Sequence, residues 1–381
     1  LEKIKVLVVD DSAIVRDVLS KAIESDKDLA LIGTAPDPYV ARDKIVKLNP
    51  DVVTLDIEMP RMDGLTFLEK VMKYNPIPVI IVSSITQKDN LAAIKALELG
   101  AYDVVNKPQG SISVGEVIDD IIYKIKEAHQ NKDNFLAKWK ELSLTYIAEL
   151  EKKKIARSIT GNLKIIQNQT AFKSGNTTDT LEVSKYLSTI QTTDRLIAIG
   201  ASTGGTVALE YLFTNLAGNL PPIVVVQHMP PTFTYQFALR LNELSALNIK
   251  EAEDGETLNN GTVYIAPGGI HMGLKRSGGL IKISLFDGPR VQYQKPSVDI
   301  LFESISNVAG RNVLALLLTG MGKDGAEGLL KIKNKGGYTV AQDEKSSIVW
   351  GMPKAAIDNK AACEVVSLES MINIIKKYGL S

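Results

Sequence analysis

The segment Leu196-Ile-Ala-Ile-Gly-Ala-Ser-Thr-Gly-Gly-Thr206 decides how this chain is read. Its first four residues have the composition of a buried strand, and the helix-like Val207-Ala-Leu-Glu-Tyr-Leu-Phe213 follows the glycines directly. Between the two, Gly200-Ala-Ser-Thr-Gly204 fits G-x-S-x-G, a pattern that holds a serine on a sharp strand-to-helix turn. Unpaired N–H groups at the start of the following helix can face a developing oxyanion. Two other readings of the stretch stand beside a nucleophile. A glycine-rich turn can bind phosphate, although the middle glycine of the dinucleotide fingerprint is missing. It can also be an ordinary tight turn.

Outward from this stretch, the chain of 381 residues is long enough for two or three domains. Its 45% hydrophobic and 23% charged residues are those of a globular protein. A formal net charge of zero gives no basic field for nucleic acid. The single cysteine, Cys363, excludes an intrachain disulfide framework and fits a reducing, cytoplasmic setting. No apolar run approaches the roughly 20 residues of a membrane helix, so no direct membrane insertion is expected. The sequence starts at Leu1 and runs straight into a strand-like Ile4–Val9, with no signal peptide expected ahead of it.

From Leu1 to about Ala128, β-branched apolar runs alternate with helical patterns, which predicts a (βα)5 domain with a parallel sheet. Chemistry in such sheets gathers at the carboxyl ends of the strands. The first strand ends in Asp10-Asp11, the third in Asp56, the fourth in Ser83, and the fifth runs into Asn106-Lys107-Pro108. Carboxylates so close together need a cation, and hard oxygen ligands suit Mg²⁺. A carboxylate can attack a phosphoryl group to give an aspartyl phosphate, whose charge the metal and Lys107 would neutralise.

Val8-Val9-Asp10-Asp11-Ser12, Asp56-Ile-Glu-Met-Pro-Arg-Met-Asp-Gly64, Ser83 and Lys107-Pro108 resemble a two-component response-regulator receiver domain. The resemblance implies that Asp56 is the phosphoacceptor and that Asp10 and Asp11 hold Mg²⁺ with Asp56 and the Glu58 carbonyl. It implies that Ser83 and Lys107 contact the phosphoryl group. Many receivers carry an aromatic switch residue three places before the lysine; this chain has Val104 there.

Residues 129–193 read as a connecting segment. Phe135, Trp139, Leu142, Tyr146 and Leu150 form one stripe of an amphipathic helix, expected to pack on a domain or a partner helix. From Arg157 to Asp194 the composition turns polar, as in a linker.

Strand–helix alternation resumes over 194–381, predicting a doubly wound α/β domain. Ile223-Val-Val-Val226 runs into Gln227-His228, and Val313–Leu318 into Thr319-Gly-Met-Gly-Lys-Asp324. Ser202, His228 and Asp324 thus each lie just beyond an apolar strand, at the edge where a parallel sheet can gather them. A serine hydroxyl needs a base, and the base needs a group to fix its tautomer. His228 is preferred as base over His271, and His129 is placed in the linker. Asp324 is preferred over Asp254, Asp287, Asp299 and Asp343 for its glycine-flanked strand-end loop. The chain order Ser, His, Asp differs from the Ser, Asp, His order of α/β-hydrolases.

Ile199–Gly205, Gln227-His-Met-Pro230, Tyr264-Ile-Ala-Pro267, Lys295-Pro-Ser-Val-Asp299, Thr319-Gly-Met-Gly322, Asp324-Gly325, Ala341-Gln-Asp-Glu344 and Gly351-Met-Pro353 resemble the catalytic domain of chemotaxis protein-glutamate methylesterases. The two resemblances cover the chain apart from the connecting segment. They imply Ser202 as nucleophile, His228 as base, Asp324 as its orienter, and backbone N–H groups of Thr203 and Met321 as oxyanion donors. They imply a γ-glutamyl methyl ester on the cytoplasmic helices of a methyl-accepting chemoreceptor as substrate, with receptor glutamine deamidation beside it. A chemotaxis histidine kinase would phosphorylate Asp56 and shift the receiver off the active-site face. A phosphorylation-gated adaptor that only binds receptor is the alternative, and the intact Ser/His/Asp set argues against it.

Overall fold

A computed structural model describes residues 2–84, 87–108, 114–141, 195–216 and 218–380. The N-terminal domain runs β1 (Ile4–Val9), α1 (Ala13–Ser25), β2 (Leu29–Ala35), α2 (Pro38–Leu48), β3 (Val52–Leu55), α3 (Gly64–Tyr74), β4 (Val79–Ser83), α4 (Gln87–Glu98), β5 (Asp103–Asn106) and α5 (Val114–Gln130). Its sheet has five strands in the order β2-β1-β3-β4-β5, and all pair in parallel. Helix starts follow from local chemistry. Ser12, Asp37 and Asp63 each accept a backbone N–H of the first turn and so cap α1, α2 and α3. Both faces of the sheet are covered, so β3 and β4 are buried at every residue rather than at alternate ones.

The N-terminal domain does not stop at Ala128. Helix α5 continues to Gln130, placing His129 in its last turn rather than in a linker. A further helical stretch covers 132–141 and docks by the first two residues of the apolar stripe. Phe135 and Trp139 are buried, and the Phe135 ring meets Tyr102 edge-on at 4.9 Å between centroids. Trp139 lies against Gly100, where a Cβ would come within 2.5 Å of its indole nitrogen. Leu142, Tyr146 and Leu150, and the polar segment after them, lie outside the described residues.

The C-terminal domain runs β6 (Leu196–Ala201), α6 (Gly205–Asn215), β7 (Ile223–Gln227), α7 (Phe233–Leu244), β8 (Asn248–Glu251), β9 (Thr262–Ile265), β10 (His271–Ser277), β11 (Leu280–Phe286), α8 (Val298–Val308), β12 (Val313–Leu317), α9 (Ala326–Asn334), β13 (Tyr338–Gln342), α10 (Met352–Asp358), β14 (Glu364–Val366) and α11 (Leu368–Leu380). Seven strands form a parallel sheet in the order β14-β13-β12-β6-β7-β9-β8, and β10-β11 is a separate antiparallel hairpin. Two elements had no clear sequence signal: the edge strand β8, with Ile249 its one fully buried residue, and the short α10.

Helix α6 is buried on every side from Gly205 to Phe213. A helix apolar all round needs partners all round. It packs against α7 and α11 of its own domain and against α4 of the N-terminal domain. The two domains therefore pack together. Asn90 of α4 donates to Thr232 Oγ1 at 2.8 Å, and Arg240 of α7 pairs with Glu98 of α4 and, at 3.4 Å, with Glu210 of α6. Farther along the contact, Tyr123 of α5 stacks on Tyr293 at 4.7 Å, and Asn131 donates to the Met321 sulfur at 3.0 Å.

Candidate active site

Strands β12, β6 and β7 are neighbours, so the three loops that leave their carboxyl ends converge. Register pairs Ala201 with Gln227, which sets Ser202 and His228 side by side, one residue beyond the pair. The His228 N–H donates to the Ala201 carbonyl at 3.1 Å and locks this juxtaposition. Gly204, at φ 79°, closes the turn after Ser202; a side chain there would strike Ile348 at 2.7 Å. Gly205 has no room for a Cβ either, because the Gln227 amide lies 2.1 Å from where it would stand. That amide donates to the carbonyls of Ser202 (2.9 Å) and His228 (3.2 Å), tying the two loops together. Gln227 is a supporting residue the sequence reading left without a role, although it stands in the Gln-His-Met-Pro stretch.

His228 Nε2 lies 2.8 Å from Asp324 Oδ2. Across the ring, Nδ1 is buried and has no hydrogen-bond partner among the described residues, which leaves it available to exchange a proton. Asp324 also accepts from Ser297 Oγ (2.8 Å) and from the N–H groups of Val298 (2.7 Å) and Asp299 (3.0 Å), at the start of α8. Burial pushes its carboxyl upward. The His228 bond and charge and these N–H groups outweigh that and hold it below its ordinary value. Its neighbour Asp299 goes the other way: burial first, then the Asp324 charge, raises it to about 7.

The rival residues are occupied elsewhere. His271 is fully buried, with Nε2 on the Pro289 carbonyl (2.9 Å) and Nδ1 accepting from the Ser297 N–H (3.2 Å). Asp287 pairs with Lys295 at 2.8 Å, Asp254 accepts the Leu285 N–H, and Asp343 binds Ser346. His129 sits in α5. Thr203 follows the serine, and its carbonyl accepts from Thr319 Oγ1 at 3.0 Å; Met321 follows Gly320, where a Cβ would come within 2.8 Å of the Ser202 Cβ, in the loop that carries Asp324.

The second cluster lies at the strand ends of the N-terminal sheet. Carboxylate oxygens of Asp10, Asp11 and Asp56 all lie within 4.8 Å of one another. Lys107 Nζ reaches Asp56 at 2.7 Å and Asp10 at 3.1 Å. Burial drives Asp56 up to about 6, against the pull of the Lys107 bond, and the Asp10 charge adds to the rise. Burial lowers Lys107, but its bonds to Asp56 and Asp10 prevail and leave it above its ordinary value. Ser83 is buried at the end of β4, and the Lys107 N–H donates to its carbonyl at 2.8 Å. Glu58 stands two residues after Asp56, and its N–H donates to Asp56 Oδ1 at 3.3 Å. Three hard carboxylates with no soft ligand among them suit Mg²⁺.

A cavity of about 400 Å³ joins the two domains, lined by Asn106, Asp120 and Lys124 on one side and His228, Pro230 and Arg290 on the other. The N-terminal domain thus stands over the rim beside His228, and Ser202 is 6% exposed. No helix among the described residues is long and apolar enough to cross a membrane.

Comparison with known proteins agrees with this division. Residues 197–375 match the model of the CheB methylesterase family, and residues 6–119 match that of the response regulator receiver domain. A protein-glutamate methylesterase/protein-glutamine glutaminase 2 of Syntrophus aciditrophicus is 44% identical over 98% of this chain and 99% of its own. The protein-glutamate methylesterase/protein-glutamine glutaminase of Sulfurimonas denitrificans is 47% identical over 93% of this chain and 92% of its own. The protein of the same name from Escherichia coli K12 is 44% identical over 97% and 95%.

Proposed function

This chain belongs to the CheB methylesterase family, with a response regulator receiver domain in front, and we propose that it hydrolyses glutamate methyl esters on chemoreceptors under control of phosphorylation at Asp56. Deamidation of receptor glutamines is the same acyl chemistry with ammonia leaving. The observation that carries the reading is the 2.8 Å contact between His228 Nε2 and Asp324, on a histidine that the strand register sets beside Ser202.

Asp324 is an acceptor, so His228 carries its proton on Nε2 and presents a bare Nδ1 as base. Nδ1 takes the Ser202 proton as Oγ attacks the ester carbonyl. The resulting imidazolium is stabilised by the Asp324 charge. Backbone N–H groups of Thr203 and Met321 receive the oxyanion. Collapse of the tetrahedral intermediate expels methoxide, which leaves as methanol with the proton from Nδ1. Water, deprotonated by His228, then releases free glutamate and regenerates the serine.

In the receiver, Asp10, Asp11, Asp56 and the Glu58 carbonyl would hold Mg²⁺, which when bound offsets the charge of an incoming phosphoryl group. Asp56 accepts that group from a chemotaxis histidine kinase, and Ser83 and Lys107 contact its oxygens. Without it, the receiver stands beside His228 and obstructs a bulky receptor helix. The test is Ser202→Ala: methanol release from methylated receptor membranes should fall by several orders of magnitude while Asp56 is phosphorylated at the normal rate. Near-normal turnover would remove Ser202 as the nucleophile.

A further inference from the structure

The hydrogen bonds around Asp324 extend one layer deeper than the three residues of the proposed mechanism. Ser297 is fully buried and is the N-cap of α8, where its Oγ accepts the Ile300 N–H at 3.4 Å. A hydroxyl has one proton to give. Ser297 gives it to Asp324 Oδ1 at 2.8 Å, so the cap of α8 also holds the carboxylate that faces His228. The next two N–H groups of the same helix start, of Val298 and Asp299, bind that carboxylate as well. The position of Asp324 is therefore set by where α8 begins.

The start of α8 is fixed in turn by His271. A backbone N–H can only donate, so the Ser297 N–H at 3.2 Å requires Nδ1 of His271 to be bare. A backbone carbonyl can only accept, so Pro289 O at 2.9 Å requires the proton on Nε2. Two partners impose the same neutral tautomer. The ring is fully buried at the first position of β10, with Phe286 of the paired strand 5.9 Å away between ring centroids. His271 thus ties the hairpin and the loop after it to Ser297, and through Ser297 to Asp324.

We propose that His271 and Ser297 are positioning residues of the hydrolytic site: His271 anchors the Ser297 backbone, and Ser297 aims Asp324 at His228. This rests on the reading of Ser202, His228 and Asp324 given above. Neither residue touches the reacting atoms. Removing the anchor lets the helix start and its bound carboxylate shift, and a displacement of about 1 Å in such a site costs up to about 100-fold in rate.

The test uses the full chain with acetyl phosphate and Mg²⁺, methylated receptor membranes as substrate, and labelling of Ser202 by a fluorophosphonate. His271→Leu is expected to lower kcat by about 10- to 100-fold with KM nearly unchanged, and to slow labelling in parallel. His271→Asn keeps an acceptor close to the Nδ1 position, and is expected to recover to within about threefold of wild type. If His271→Leu does not fold, as its melting curve will report, His271→Asn and Ser297→Ala carry the test. Ser297→Ala should also reduce kcat by about tenfold or more. In an Asp324→Asn background, where nothing is left to aim, either substitution should cost less than about a further twofold. Wild-type kcat in His271→Leu or Ser297→Ala, or full additivity with Asp324→Asn, overturns the proposal. Absence of Ser202 labelling in the wild type would instead overturn the reading it rests on.

Discussion

Replacing Tyr123 by alanine should release the enzyme without phosphorylation. The ring of Tyr123, on α5 of the receiver, stacks on Tyr293 of the catalytic domain at 4.7 Å and 22°. Such a pair contributes about 0.5–1.5 kcal/mol beyond the area it covers, and loss of that area brings the total to about 1–2 kcal/mol. A change of that size moves the docked-to-undocked ratio by about 5- to 30-fold. Tyr123 lies in the receiver and touches no group assigned to ester hydrolysis, so the change is read in docking alone. The assay is the initial rate of methanol release from methylated receptor membranes without phosphodonor. It should rise by about the same 5- to 30-fold, up to the ceiling of the fully open enzyme. With phosphodonor and Mg²⁺ the variant and wild type should converge. An unchanged or lower basal rate, with Asp56 still phosphorylated, would refute the reasoning, because the stack would then add nothing to the obstruction.

Three further outcomes are expected. Asp324→Asn should remain folded and slow, less damaged than His228→Ala, because the base survives in a poorer tautomer; wild-type activity in Asp324→Asn, measured as methanol release, would point to Asp299 instead. Asp56→Asn should keep the full chain at its basal rate even with phosphodonor and Mg²⁺, and a retained response would mean that another carboxylate is phosphorylated. The third concerns pH. Glu127 lies one helical turn from both Tyr123 and Asn131 on the docked face of α5, and burial drives its carboxyl from 4.5 up to about 8. Undocking returns it to water, so the open form releases a proton that the docked form keeps between about pH 4.5 and 8. The basal rate should therefore climb toward pH 8 as opening is favoured, and Glu127→Gln should flatten that climb.

Much of this was legible in the sequence because parallel sheets place their chemistry at one predictable edge. Asp10, Asp56, Lys107, Ser202, His228 and Asp324 each lie at or shortly beyond the end of a short apolar run that alternates with helical patterns. Strand β8 was not legible, since Asn248-Ile-Lys-Glu251 is a charged edge strand whose place comes from pairing with β9. The roles of Gln227, Ser297 and His271 were hidden for another reason. Their polar groups are buried, and what satisfies a buried polar group lies elsewhere in the chain, invisible to local pattern. A receiver on the active-site face was implied by the resemblance, but the contacts that dock it were equally out of reach. Docking depends on Tyr293, presented from a loop in which Gln292 and Tyr293 both have positive φ, 50° and 66°.

The two sites lie in different domains yet share one strand end. Lys107, which bridges Asp56 and Asp10, is the next residue after Asn106, and Asn106 lines the cavity whose far wall includes His228. A phosphoryl group on Asp56 competes for the Lys107 charge, so it can disturb the end of β5 together with Ser83 at the paired end of β4. The end of β5 and helices α4 and α5 are among the described parts of the receiver that touch the catalytic domain. An aromatic side chain swinging at the third position before the lysine cannot carry the signal, because Val104 occupies it and is 1% exposed. A shift of β5 and its flanking helices relative to Met229–Pro231, Tyr293 and Met321 is the coupling we propose in its place. A shift of that kind needs only a differential of about 1–3 kcal/mol between docked and undocked states. Among the described residues the docked face combines the packing of α4 on α6 and α7 with the Tyr123–Tyr293 stack, a few hydrogen bonds and the Arg240 pairings, and the coupling acts on the balance of these contacts.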